Sequence, residues 1–161
     1  MGMGQGGNAV LRLVLIGYLF LSAVCISRPF SFTSTVVIPN GIEAGEKITG
    51  EPFEAEGSSW QLVVYPRGDR VAKRLGFCSV YLECLSETDK DVCFEISLLG
   101  AGEGEKTVQV EKKSCSKHNF SKLFNPYGFM KFVDAKTLFE SKYACRDDGG
   151  AARFRCAVGP P

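Results

Sequence analysis

The stretch FEAEGSSWQLVVYPRG, residues 53–68, decides how the rest of the chain is read. Trp60 opens a run whose alternate members, Leu62 and Val64, are apolar, which is the period of a β-strand with one buried face. Tyr65-Pro66 ends that run, because proline has no N–H to give to a ladder. Gly57-Ser58-Ser59 separates it from an earlier run over residues 48–56 that holds Phe53. A lone tryptophan on an apolar strand face packs inward, so Trp60 reads as a core anchor.

The same grammar holds outward from this stretch. Residues 33–38 form a first β-branched run, closed by Pro39-Asn40-Gly41. In residues 75–85, Cys78, Val80, Leu82 and Cys84 share one face, and Phe77, Ser79, Tyr81 and Glu83 share the other. Residues 92–99 set Phe94, Ile96 and Leu98 against Cys93, Glu95 and Ser97. A turn over residues 100–104 leads into a strand over 106–111, and runs at 129–133 and 152–158 complete the set. Two glutamates stand in the glycine-bearing turn and a strand follows it, so it reads as a hairpin turn and not as a phosphate loop. Only residues 134–140 look helical, with Asp134 as the N-cap and Leu138 and Phe139 plugging one end of the fold. Without long helices there are no crossovers for a parallel sheet. The expected fold is all-β, an antiparallel sandwich of about eight strands with one short helix.

A 14-residue apolar run, residues 13–26, precedes this domain. A bilayer-spanning helix needs about 20 residues and a signal-peptide core roughly 7–15. Residues 1–27 therefore read as a hydrophobic leader helix, a cleaved signal peptide or a signal anchor, with membrane association through residues 9–26 in the second case. Residues 28–161 form the sandwich domain. Outside the leader, 18 basic residues balance 18 acidic ones. That balance argues against a nucleic acid or an anionic membrane surface as partner.

The chemistry-bearing residues are few. His118 is the single histidine, and Cys115 three residues before it has no further ligands at zinc spacing. No paired acid or nucleophile–base motif is present, so neither an enzyme nor a cofactor or metal is expected. Beyond Cys25 there are six cysteines. An even number in a secreted chain suggests disulfides, yet Cys78, Cys84 and Cys156 fall on apolar strand faces and read as buried thiols. Mostly free thiols suit a reducing compartment, whereas the leader and the Asn119-Phe120-Ser121 glycosylation sequon suit the secretory pathway. Secretion or membrane anchoring is the expectation, with the cytoplasm as the alternative.

Two stretches carry a family likeness: residues 53–68 with Ser79, Tyr81 and Leu82 after them, and Phe120, the YGFMKFV of residues 127–133, Leu138, Tyr143, Asp147-Asp148 and the FRCAV of residues 154–158. Together they resemble the MATH (meprin and TRAF homology) domain from about Ser31 to Val158. The resemblance implies a TRAF-like sandwich and a non-enzymatic module that binds short extended peptides of partner proteins in a shallow aromatic groove. Ubiquitin-ligase adaptors and TRAF-like signalling proteins use such domains. Carried over by position, Tyr81, Phe94, His118, Tyr127, Phe129 and Lys131 would line that groove. His118 stands where the family has an aromatic, Tyr127 where it has tryptophan, and Met130 where it has a polar or basic residue. The alternative implied role is an extracellular adhesion or oligomerisation module of the meprin type. With no heptads to hold a trimer, the expected state is a monomer or weak self-association.

Overall fold

The computed structural model describes residues 30–39, 41–87, 89–101, 107–140 and 150–161. The leader, the centre of the turn after residue 101, Tyr143, Cys145 and Asp147-Asp148 lie outside the described residues. In chain order the strands are β1 (Phe30–Val37), β2 (Ile48–Thr49), β3 (Phe53–Ala55), β4 (Ser58–Tyr65), β5 (Phe77–Cys84), β6 (Lys90–Ala101), β7 (Thr107–Phe120), β8 (Tyr127–Asp134) and β9 (Ala151–Gly159). A 3-10 turn at Ala72–Arg74 precedes β5, and one helix, α1 (Ala135–Glu140), follows β8.

The strands form two sheets with antiparallel pairing throughout. One has the order β1-β9-β6-β7, the other β2-β4-β5-β8, with β3 beside β4. Alternation explains the layering. Leu62 and Val64 on β4, Val80 and Leu82 on β5, and Ile96 and Leu98 on β6 are all fully buried. Removing two such inner faces from water drives the sheets together. Trp60 is completely buried, and its Nε1–H donates to the Ala55 carbonyl at 2.8 Å, so the indole fills the core without stranding its polar atom.

Helix α1 begins where expected. Asp134 Oδ1 accepts from the Lys136 amide at 2.7 Å, and Leu138 is completely buried at the end of the sandwich. Phe139 lies under the Arg67 guanidinium, 4.5 Å from its ring centre, and Arg67 Nε donates to the Ile42 carbonyl at 2.9 Å.

Two strand readings are corrected. The single run over residues 48–56 is two strands. Gly50 packs on β1 so closely that a Cβ there would lie 2.5 Å from Ser34 Oγ, and Pro52 has no amide hydrogen. The strand expected to span residues 106–111 continues to Phe120, paired with β6 along its length.

Candidate functional site

Each sheet has an edge strand on the same side of the sandwich: β7 ends one sheet, β8 ends the other, and the two lie side by side. Register decides what faces this seam. His118 stands opposite Val92 and Lys113 opposite Ile96, so both share the core-directed face of β7. Tyr127 stands opposite Leu82 and Phe129 opposite Val80, so both share the core-directed face of β8.

The seam is floored by rings. Phe94 is only 3% exposed, and its ring centre is 6.3 Å from Tyr127, 5.8 Å from Phe129 and 5.9 Å from Phe120. Phe120 in turn meets Trp60 edge-on at 5.0 Å. The core tryptophan thus buttresses the floor through two phenylalanines. Above it, the His118 ring lies flat on Tyr127, with centroids 3.6 Å apart and planes within 10°. His118 Nε2 lies 3.0 Å from the Phe124 carbonyl, which takes a hydrogen only from the Nε2–H tautomer or the imidazolium. Tyr127 remains 41% exposed beside Leu123 and Phe124, exposed at 86% and 61%.

The loop carrying Leu123 and Phe124 is held in place by Asn125. Its side-chain oxygen accepts from the Cys84 amide at 2.9 Å, and its Nδ2 donates to the Cys84 carbonyl at 2.7 Å. The amide side chain thereby extends the sheet by one rung, next to a cis Asn125–Pro126 bond. Gly128 then brings β8 against β5: a Cβ there would lie 2.4 Å from the Val80 carbonyl oxygen and 2.6 Å from Tyr81 Cα.

Phe94, His118, Tyr127 and Phe129, four of the six residues named from the resemblance, meet at the seam. Phe94 does so as buried floor, in keeping with its alternation with Ile96 and Leu98. Tyr81 is not brought to them. It alternates with buried Val80 and Leu82 and so faces away from the core, edge-on to Tyr65 at 5.9 Å. Its hydroxyl donates to Asp69 Oδ2, while Asp69 Oδ1 accepts from the Val71 and Ala72 amides, each at 2.8 Å. Burial and the neighbouring Asp69 carboxylate both push the Tyr81 phenol well above its ordinary range. Burial would also raise Asp69, but the Ala72 amide, the Tyr81 hydroxyl and the Val71 amide outweigh it and hold the carboxyl below its usual value. Tyr81 is a brace for the turn before β5. The Lys131 ammonium also leaves the ring cluster and sits 5.6 Å over Phe77, though its backbone carbonyl faces β7 and accepts from Lys113 Nζ.

Lys113 escaped sequence reasoning, since nothing in the polar run of residues 111–117 marks one lysine as inward-facing. The sequon residue Asn119 is exposed, and its Nδ2 donates to Asp91 Oδ1 at 2.6 Å. Among the described residues no group of three or more His, Cys, Asp or Glu side chains could hold a metal, and no helix is long and apolar enough to cross a membrane.

Among the described residues, two antiparallel sheets and one short helix define a TRAF-like sandwich. The model of the MATH domain matches residues 30–150, and the chain belongs to that family, whose members are in general protein–protein interaction modules. Among curated proteins there is no match. Among solved structures the chain is similar to TRAF5 of Notothenia coriiceps, with a TM-score of 0.54 and 15% identity, over 81% of this chain and 73% of that one. At that identity the likeness is one of fold.

Proposed function

We propose that the domain binds an extended peptide segment of a partner protein along the seam between β7 and β8. The observation that carries this reading is the His118–Tyr127 stack, a solvent-facing aromatic surface set between two open sheet edges. An edge strand offers unpaired backbone N–H and C=O groups, and a peptide satisfies them by adding as a further strand. The rings of Tyr127, Phe129 and His118 supply apolar contact for one or two of its side chains. Binding needs no chemistry from the chain, which fits a non-enzymatic module. The test is a Tyr127→Ala/Phe129→Ala double variant, assayed by calorimetry against a peptide selected on the wild-type chain. The variant is expected to keep its fold and lose binding by tenfold or more, since each aromatic anchor at such a surface contributes roughly 1–2 kcal/mol. Unchanged affinity in a folded double variant removes the seam from consideration.

A second proposal concerns the compartment. Asn119 is exposed at a sequon, and residues 1–27 have the pattern of a leader, which supports entry into the secretory pathway. Expression of the tagged full-length chain in cells with a secretory pathway, followed by glycosidase treatment, should shift its mass. No shift, with residues 1–27 retained, places the chain elsewhere.

A further inference from the structure

The seam has two chemically different ends. At one, the His118–Tyr127 stack presents a ring surface, with the backbone of the exposed Leu123-Phe124 loop against His118. At the other stands Lys113, half-buried on the face of β7 that looks across to β8, with its ammonium tied to the Lys131 carbonyl. Lys112 pairs with Glu95 at 2.6 Å and Lys117 with Asp91 at 3.2 Å, both on β6. Among the described residues, Lys113 has no carboxylate within ion-pair distance. Glu111, two residues back on the same face of β7, makes no ion pair with it, so Lys113 brings an unpaired ammonium to this end of the seam.

Resting on the peptide reading above, we infer that the segment bound there carries an acidic side chain, read by Lys113, a few residues beyond its apolar anchor. An ammonium has three hydrogens. The Lys131 carbonyl takes one, which leaves two for a carboxylate. Five positions separate Lys113 from His118 on β7, with a bulge between them, and four separate Tyr127 from Lys131 on β8. At roughly 3.3 Å per residue, an extended ligand reaches from ring surface to ammonium in about four residues. A strand added antiparallel to β7 runs from the His118 end toward the Lys113 end. The anchor is then N-terminal to the acid.

The probes are three fluorescein-labelled pools of eight-residue peptides with leucine at the second position. The sixth position is Glu, Gln or Lys, and the rest are randomised among Ala, Ser and Thr. Anisotropy on the full 161-residue chain is expected to order them Glu, Gln, Lys from tightest to weakest. The Glu pool should lead the Gln pool by about fivefold, the scale of a partly shielded ion pair with hydrogen bonds, and by less at high salt. Lys113→Gln should bring the Glu pool down to the Gln pool, while Lys113→Arg retains the preference. Equal binding of the Glu and Gln pools, abolished by Tyr127→Ala, overturns the acidic reading and keeps the peptide seam. Binding by none of the pools overturns both. A Glu preference that survives in folded Lys113→Gln overturns the assignment to Lys113.

Discussion

Gly128 is the residue at which the edge of the site is most tightly specified. A methyl group there would meet the backbone of β5 at Val80 and Tyr81, which cannot rotate aside as a side chain would. Gly128→Ala should destabilise the domain by about 1–3 kcal/mol, measured by urea denaturation, and should weaken peptide binding as β8 shifts. The Tyr81–Asp69 pair makes a different demand. Tyr81→Phe should cost about 1 kcal/mol at neutral pH, because a half-buried carboxylate loses one charge-assisted donor. The sign with pH follows from the lowered carboxyl. Asp69 binds its proton less readily folded than unfolded, where it titrates near 3.8, so its contribution is present above that value and is lost as pH falls through the lower folded one. Wild-type and Tyr81→Phe denaturation midpoints should converge on acidification. A gap that stays constant to low pH would show that the hydroxyl acts through packing alone.

At the scale of the element, α1 is two short turns whose value lies in one side chain. Leu138→Ala should cost about 2–5 kcal/mol by thermal or chemical denaturation, since Leu138 is completely buried within the core cluster. This helix was readable in the sequence because its cap and its buried leucine are both local signals. So was the pairing of buried faces in β4, β5 and β6, where period-2 alternation is strict. β7 was half missed: from Glu111 to Lys117 an edge strand needs few apolar side chains, so its sequence resembles a loop. Tyr81 was placed by its strand period. Alternation turns it to the side of β5 away from Val80 and Leu82, where it meets Tyr65 and Asp69 and not the ring cluster. Lys113 was illegible because only the register with Ile96, a long-range fact, tells which lysine of the run turns inward.

Across the whole molecule, the cysteines among the described residues are sorted by depth. Cys78, Cys84 and Cys156 lie in the core, whereas Cys93 and Cys115 are half-buried. Burial first, and the negative charge of Glu95 second, push the Cys156 thiol far above its ordinary range. Site-resolved alkylation of the native chain should label Cys93 and Cys115 well before Cys78, Cys84 or Cys156, and denaturant should erase the difference. Early labelling of Cys156 in the native state would contradict the packing described for β9. The placement of the lysines has a further consequence for a protein that leaves a long strand edge uncovered. Two copies meeting edge to edge along β7 would have to take Lys112, Lys113 and Lys117 of each partly out of water, and that desolvation cost discourages runaway polymerisation. The edge can stay open in a crowded solution because pairing with a copy of itself costs the hydration of its own charged groups.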